Sequence, residues 1–222
     1  MGIKSVINTD RLYWLGRYTE RVYTTLKLFS LSFDTLIEQY VVDRTGFCES
    51  LEIPDIYRDK DDFITSYAFS LEDTNSIISN LYRAYDNAIE LREEIGSETL
   101  AFIQIAIYEM NSAKFSEAPL LHFQKITDAI LAFWGCVDDQ IDDENTRNIL
   151  KVGKRVERLD LYARLKKDKP AIQREVNRLI HRISRTDLIY SQEALMRLKD
   201  LADAPTLDSW GIIRTVEQLV EC

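Results

Sequence analysis

The 222-residue chain contains little glycine and little proline, 7 and 4 residues respectively. A β-sandwich or β-barrel of this length needs a turn after nearly every strand, and such turns depend heavily on these two residues. Their scarcity argues against a turn-rich β protein. The composition favours long, uninterrupted helices instead.

Cysteine and histidine are also scarce, with 3 and 2 residues. Cys48, Cys136 and Cys222 are odd in number and do not have the spacing of metal ligands, which is typical of free thiols in a reducing compartment. His122 and His181 are isolated from each other in the sequence. We therefore expect no metal site, and no cofactor is predicted.

The sequence has no long apolar run. The longest, Ala129 to Val137, has nine residues, whereas a membrane-spanning helix needs about 20. The N-terminal residues lack the apolar core of a signal peptide. These absences predict a cytoplasmic protein without a membrane partner.

Positive charge is in deficit, because 28 lysines and arginines face 37 acidic residues and the net charge is −9. The averaged field of such a chain repels phosphate backbones. We therefore expect no nucleic-acid partner.

What the sequence does contain is helical periodicity. Apolar residues in alternating steps of three and four predict one helix over about residues 10–40, with Asn8 or Thr9 as its N-cap. A single polar residue interrupts this stripe. Its members are Leu12, Leu15, Thr19, Val22, Leu26, Phe29, Phe33, Leu36 and Tyr40.

The rest of the chain follows the same pattern, so the predicted fold class is all-α, a helical bundle of about 7–8 helices in a single domain over residues 1–222. Residues 42–61 are predicted to be an irregular connection. A long helix is expected after Asp73 or Thr74 as N-cap, ending at Gly96, where Ser97 begins the next helix. Further helices are predicted at 62–69, 117–141, 144–167, 170–186, 189–202 and 206–220.

One short string occurs twice. Leu15-Gly16-Arg17-x-x-Glu20-Arg21-Val22 is matched by Val152-Gly153-Lys154-x-x-Glu157-Arg158-Leu159. The same offset of 137 positions (153 − 16 and 157 − 20) relates every matched residue. We interpret this as an internal pseudo-repeat of two helices, residues 10–40 and 144–167, each with an acid–base pair at an equivalent place.

Adjacent residues on a helix do not face each other, so Glu20 does not simply pair with Arg21. One interpretation is a surface pair within each helix, in which Glu20 reaches Arg17 and Glu157 reaches Lys154. Such pairs stabilise a helix by only a few tenths of a kcal/mol.

A second interpretation is a reciprocal exchange between the two helices about a pseudo-twofold axis. Glu20 would then meet Arg158, while Glu157 would meet Arg21. A third is a ligand site lined by the same residues, because arginine forks suit carboxylate or phosphate. Gly16 and Gly153 stand at matching positions of the two strings. Glycine at both positions favours close helix approach or space for a ligand.

Three blocks carry a resemblance to a known family. The first is Leu12-Tyr13-Trp14-Leu15-Gly16-Arg17-Tyr18-Thr19-Glu20-Arg21. The third consists of residues Val152 to Asp160 and, shortly after them, Ala163-Arg164-Leu165. The middle block contains Asn75-Ser76-Ile77, Asp86-Asn87-Ala88, Arg92-Glu93 and Ser97-Glu98. With these blocks the chain resembles the bacterial alpha-E domain family, formerly a domain of unknown function named for its Glu-Arg motif. The resemblance adds Asn75, Asn87 and Arg92 to the candidate ligand-binding or ion-pair residues.

The chain departs from the family pattern in two places. Val22 and Tyr23 follow the first Glu-Arg pair where relatives usually have alanine and an acidic residue. The middle block usually reads Arg-Glu-Asn-Ala-Arg, whereas here Tyr85 and Ile89 stand at the positions of its two arginines.

Family members tend to be encoded beside circularly permuted ATP-grasp proteins and transglutaminase-like proteases. The resemblance therefore implies a role in a peptide-ligase or protein-modification system. We expect a non-catalytic accessory or scaffold protein, with an ATP-grasp ligase or a transglutaminase-like protein as partner. The alternative is an enzyme of the same system that uses the paired Glu and Arg residues on an amide, amino-acid or phosphorylated substrate. A homo-oligomer of this chain is also compatible with the sequence.

Two other patterns suggest further functions. The string Asp138-Asp139-Gln140-Ile141-Asp142 matches DDxxD, which on a helical fold suggests an isoprenoid synthase binding Mg²⁺-diphosphate. Asp142 or Asp143 is equally suited to cap the following helix. The basic segment Lys166-Lys167-Asp168-Lys169 is followed by cations at Arg174, Arg178, Arg182 and Arg185. This pattern is typical of a solvated helix face, or of a surface that docks an acidic partner.

Overall fold

The computed structural model describes residues 6–38 and 44–221, and these residues form eleven helices without a strand. Tyr190 and Val220 form an isolated antiparallel bridge. The all-α prediction is confirmed. The helices are α1 Val6–Glu38, α2 Arg44–Leu51, α3 Lys60–Phe69, α4 Ile77–Glu90, α5 Arg92–Ile95, α6 Ser97–Ala113, α7 Pro119–Asp139, α8 Glu144–Arg164, α9 Lys169–Ile183, α10 Gln192–Asp203 and α11 Ser209–Glu217.

α1 is the long helix expected from the first apolar stripe, but it begins at Val6. Asn8 and Thr9 therefore lie inside the helix, and their prediction as N-cap was wrong. Burial of Leu12 and Leu15, both 0 % exposed, stabilises the helix more than a cap does, so the helix extends past its capping residues. Tyr40 and Cys222 lie outside the described residues.

The N-cap of α4 also differs from the prediction. Ser76 caps the helix, and its hydroxyl accepts the N–H of Ser79 at 3.1 Å. Asp73 has a different role, because its buried carboxylate accepts the hydroxyl of Tyr57 at 2.6 Å. A capping propensity read from the sequence does not include such a tertiary partner, which is why Asp73 and Thr74 were chosen wrongly.

The segment predicted to be irregular contains a helix. α2 buries Phe47, Cys48 and Leu51 on one side. Eight residues are too few to show a clear helical period, and the charges around Gly46 suggested a loop. Tertiary packing of those three side chains decides the conformation instead.

The chain divides into two compact units. Unit 1 consists of Met1–Glu20 with Asp142–Cys222, and unit 2 consists of Arg21–Ile141. The expected single domain over residues 1–222 stays a prediction.

Unit 2 has an aromatic core. The rings of Phe63 and Tyr67 on α3 stack with centroids 5.6 Å apart. Phe29 of α1 lies 5.7 Å from Tyr67 and 5.9 Å from Phe123 of α7, and Phe47 of α2 lies 5.3 Å from Phe63. Edge-to-face and offset contacts of this kind stabilise a core beyond the effect of buried area alone.

Unit 1 is organised around α8, which packs against α9 and α11, while α10 packs against the same two helices. The apolar stripe of α8 places Val152, Val156 and Leu159 at 0 % exposure. Because α8 has neighbours on several sides, charged residues next to the stripe are also buried, among them Glu157 and Lys151. Buried charges require partners, and those partners define the candidate site.

Candidate functional site

The site is built where α1 and α8 cross within unit 1, and glycine makes the crossing close. A Cβ atom at Gly16 would collide with the carbonyl oxygen of Leu150 and lie 3.0 Å from its carbon. A Cβ atom at Gly153 would collide in the same way with the carbonyl of Tyr13. Backbone atoms cannot yield as a flexible side chain does, so both positions require the absence of a side chain.

The two contacts are reciprocal. The same hypothetical atoms lie 3.1 Å from the backbone nitrogen of Lys154 and 3.2 Å from that of Arg17. Lys154 and Arg17 are separated by 137 positions, and so are Leu150 and Tyr13. Two related helices that cross about a twofold axis have this reciprocity.

One turn beyond the crossing, Arg158 of α8 binds Glu20 of α1. The Nε of Arg158 donates to Oε1 of Glu20 at 2.6 Å, and Nη2 donates to Oε2 at 2.9 Å. The Glu20 side chain is 1 % exposed and that of Arg158 16 %. A bidentate pair of this kind occupies both carboxylate oxygens and fixes the register of the two helices. It is the contact predicted for a reciprocal exchange.

The second carboxylate, Glu157, is equally buried at 1 % exposure and accepts the Nε of Arg17 at 2.8 Å. The Arg17 guanidinium also lies over the ring of Trp14, 4.8 Å from its centroid. Burial by itself lowers the pKa of Arg17, but the negative charge of Glu157, aided by Tyr13, outweighs it and holds that pKa above its ordinary value. Arg17 is therefore a permanent cation.

The remaining half of the predicted exchange, between Glu157 and Arg21, stays a prediction because Arg21 belongs to unit 2. Arg17 and Glu20, which the alternative interpretation pairs within one helix, each bind a residue of α8. Charge on α1 is therefore compensated from α8.

Lys154, the counterpart of Arg17, is the most perturbed base of the site. Desolvation lowers its pKa to about 7 in spite of the nearby Glu20, and the positive charges of Arg158, Arg155 and Lys151 lower it further. An amine with such a pKa is partly neutral at physiological pH.

Sequence reasoning missed one member of the buried network. Glu175 of α9 is 2 % exposed and accepts Nη1 of Arg155 at 2.6 Å and Nη1 of Arg178 at 2.8 Å. A signal was present, because Glu175 lies one turn from Ile172 and Leu179 in the apolar stripe of α9. An acidic residue among buried apolar positions indicates a buried partner.

The candidates from the middle block lie in unit 2 and have local contacts. The backbone N–H of Asn75 donates to Asp73 Oδ1 at 2.8 Å. The Asn87 amide donates to the carbonyl of Arg83 at 3.0 Å, and Arg92 Nε donates to Ser97 Oγ at 3.0 Å. These contacts stabilise turns and helix ends, and they belong to a different unit from the Glu-Arg pairs.

The DDxxD alternative gains no support. Asp143 caps α8, with Oδ2 accepting the N–H of Thr146 at 2.9 Å. Among residues 6–38 and 44–221, no group of three histidine, cysteine or acidic side chains has a geometry that could hold a metal ion. The free cysteines among them are Cys48, which is buried, and Cys136.

In the part of the chain that the structure describes, the helices are too short or too polar for a membrane span.

The arrangement suits a structural role for the two glutamates. Both carboxylates of the duplicated motif are buried, and each accepts a charge-assisted hydrogen bond. Removing either partner would leave an uncompensated buried charge, which costs about 3–5 kcal/mol. The pairs therefore lock α1 against α8.

Comparison with known protein families gave a match over most of the chain. A family model called Alpha-E, described as a predicted alpha-helical domain with a conserved ER motif, matches residues 8–202. No curated protein and no solved structure matches the chain. Glu20 belongs to the first Glu-Arg string and Arg158 to the second, and both lie within the matched range. The chain belongs to the Alpha-E family.

Proposed function

We propose that this Alpha-E protein is a non-catalytic accessory protein of a bacterial peptide-ligase or protein-modification system. It acts in the cytoplasm and binds a partner protein or peptide, with an ATP-grasp ligase as the preferred partner and a transglutaminase-like protein as the second. The observation that carries the proposal is the 1 % exposure of both Glu20 and Glu157, each paired with an arginine. Groups so enclosed serve architecture, which leaves the outer surface for function.

A groove in unit 2 supports a binding role. It has a volume of about 360 Å³ and lies between α1 and α7. Leu31 and Leu131, two of its lining residues, are 69 % and 50 % exposed. Apolar side chains that line a concave surface between two helices are typical of grooves that accept the apolar face of a partner helix. The complete lining is Tyr23, Lys27, Ser30, Leu31, Leu120, Phe123, Gln124, Thr127 and Leu131.

The charge at the groove specifies the partner further. Lys27 is exposed, and its amine lies 5.4 Å from the centroid of the Tyr23 ring. An amphipathic helix with an acidic residue beside its apolar stripe would complement this edge. The occupant we propose is such a helix on the ligase.

The experiment is co-purification of the full chain with an ATP-grasp ligase of the same organism. Wild-type protein is expected to form a complex in size-exclusion chromatography, and Leu131→Glu is expected to weaken it at least about 10-fold because a charge enters the apolar groove. Ile105→Glu is the matched control, since Ile105 is 45 % exposed on α6 and does not line the groove.

Two outcomes would overturn the proposal. The first is turnover of an amide or phosphorylated substrate by the isolated chain, abolished in Arg17→Gln, together with no complex. The second is a dimer of the chain itself that Leu131→Glu dissociates, because a second copy would then occupy the groove.

A further inference from the structure

The two walls of the groove in unit 2 carry opposite charges at their rims. On α1, Lys27 is exposed and lines the groove. It lies one turn after Tyr23 and one turn before Leu31, which are lining residues as well. Residues four positions apart share one face of a helix, so the positive charge of Lys27 belongs to the α1 rim.

The α7 rim carries a carboxylate. Nε2 of Gln124, a lining residue of the groove, donates to Oδ1 of Asp128 at 2.8 Å. Asp128 also lies one turn before Leu131, which is another lining residue. Gln124, Asp128 and Leu131 are all exposed, so the three side chains share the outer face of α7. The negative charge of Asp128 therefore lies beside the groove, on the α7 side.

Neighbouring charges keep this pattern. Residues 21–31 of α1 contain two charged side chains, those of Arg21 and Lys27, and both are positive. On α7, Lys125 is exposed, but its amine lies 3.5 Å from a carboxylate oxygen of Glu109 on α6. Lys125 therefore faces α6, and the α7 rim beside the groove stays negative.

Both rim charges can pair with a partner. In the part of the chain that the structure describes, Lys27 contacts the ring of Tyr23, 5.4 Å from its centroid, and Asp128 accepts the amide of Gln124. The ring and the amide are uncharged, so neither contact offsets a full charge. An opposite charge brought by a partner would do so.

A helix that lies in the groove presents one flank of its apolar stripe to α1 and the other flank to α7. Acidic residues on the first flank would meet Lys27, and basic residues on the second would meet Asp128. If the same helix lies in the opposite direction, its flanks are exchanged and like charges meet. Charges beside an apolar seam set the orientation of coiled-coil helices in this way, and like-charge contacts disfavour the wrong arrangement.

We propose that Lys27 and Asp128 fix the direction in which a partner helix lies in the groove. The helix carries acidic residues along one flank of its apolar stripe and basic residues along the other, and one direction pairs both flanks. Two lining residues, Leu120 and Leu131, are 11 positions apart on α7 (131 − 120), about 16 Å along its axis, so the contact involves about three turns of the partner. The inference rests on the groove of the proposed function and specifies the helix that it accepts.

The test is fluorescence anisotropy of two labelled synthetic helices with the full chain. Both have leucine at the apolar positions. The mixed peptide has glutamate along one flank and lysine along the other, and the neutral peptide has glutamine on both. Lys27→Glu and Asp128→Lys should each weaken binding of the mixed peptide at least about 5-fold, because an exposed ion pair becomes a repulsion. The double variant should restore wild-type affinity, since the reversed peptide then pairs both flanks.

Three controls accompany the rim variants. Lys114→Glu changes the net charge as Lys27→Glu does, at an exposed position of unit 2 that does not line the groove, and it should bind the mixed peptide as the wild type does. The neutral peptide should bind all rim variants equally, which shows that the groove is intact. Leu131→Glu should weaken both peptides at least about 10-fold, because it puts a charge into the groove.

A photo-crosslinking group at the N-terminus of the mixed peptide reports its direction. Mass spectrometry should locate the crosslink at one end of the groove in the wild type and at the other end in the double variant. A double variant that binds more weakly than either single variant would overturn the inference, and so would crosslinks at the same end in both proteins. A ligase complex together with unchanged peptide binding in both single variants would refute the direction alone. Restored peptide binding without a ligase complex would refute the accessory role alone.

Discussion

Arg158 donates two N–H groups to the two oxygens of Glu20, although the residues are 138 positions apart in the sequence. The contact joins α1 to α8 at one end of a crossing that Gly16 and Gly153 make close. Because the carboxylate is buried, loss of either partner would leave a desolvated charge. The pair therefore affects stability more than a surface ion pair does.

The first prediction concerns coupling between the two pairs. Glu20→Gln and Glu157→Gln are each expected to lower the free energy of unfolding by about 3–5 kcal/mol, because each leaves an arginine without its counterion. The double variant should lose less than the sum, since both pairs hold the same crossing. Urea unfolding of the two single variants and the double variant measures the coupling.

Glu217→Gln is the control for that cycle. Glu217 is 57 % exposed and lies 3.4 Å from Arg164 in the same unit, so its loss should change stability by less than about 0.5 kcal/mol. Strictly additive losses at Glu20 and Glu157 would show that the two pairs act independently.

The second prediction concerns the two glycines at the crossing of α1 and α8. Helix propensity alone would make Gly16→Ala and Gly153→Ala stabilising by about 1 kcal/mol. We expect the opposite sign, a loss of at least about 1–3 kcal/mol, because the new methyl group meets a backbone carbonyl of the other helix. Thermal unfolding of each variant decides the sign.

Gly135→Ala provides the matched comparison. Gly135 is a glycine of α7, and a Cβ atom there would meet nothing within 4 Å. This variant should follow propensity and gain up to about 1 kcal/mol. A gain at Gly16 as large as that at Gly135 would disprove the close crossing.

The third prediction concerns pH. Lys154 has a pKa of about 7 in the folded protein and an ordinary value of 10.5. Between these values the unfolded chain binds more protons than the folded chain, so stability rises with pH. Lys151, with a pKa of about 8, acts in the same direction. Urea unfolding should show a gain of about 1–2 kcal/mol from pH 7 to pH 9.

Cys48 sets the upper limit of that window, because burial raises its thiol pKa to about 11 in the folded protein. Above pH 9 the thiol ionises in the unfolded chain first, which reduces stability. Lys154→Met should flatten the rise between pH 7 and pH 9. Lys199→Gln, at a lysine that is 55 % exposed, should leave it intact. A stability that falls across this window in the wild type would contradict the burial of Lys154.

The fourth prediction tests the hydrogen bond between Tyr57 and Asp73 in unit 2. Tyr57→Phe removes the 2.6 Å hydrogen bond to Asp73, whose carboxylate is 7 % exposed. Leaving that buried acceptor with one fewer donor should cost about 1–3 kcal/mol in thermal or urea unfolding. Tyr108→Phe, at a tyrosine that is 70 % exposed, should be neutral. Equal effects of the two variants would mean that the Tyr57 hydroxyl is not a structural group.

Much of the fold could be predicted because its signals are local. Gly96 ends α5 with a φ of 81°, Pro119 begins α7, and Asp143 caps α8. Each of these residues acts within one turn of its own position, so the sequence around it is sufficient. The failures, at the N-caps of α1 and α4 and in α2, occur where packing against another part of the chain decides the conformation.

The candidate site divides in the same way. The repeated string placed Glu20, Arg158 and the two glycines on equivalent helices, and it supported the contact between Glu20 and Arg158. It left the partner of Arg17 open, and it did not indicate Glu175. Both depend on how α1, α8 and α9 pack, which a repeat does not specify.

The order of residues alone determined that the chain is helical, where most helices begin and end, and that two helices carry matching Glu-Arg strings, because each of these follows from contacts within a few residues. Packing decided which arginine meets which glutamate, that Lys154 and Lys151 are desolvated, and that Arg155 and Arg178 both bind Glu175. Charge compensation in the interior joins residues more than one hundred positions apart, and the energy of a buried charge depends on neighbours that only the folded chain brings close.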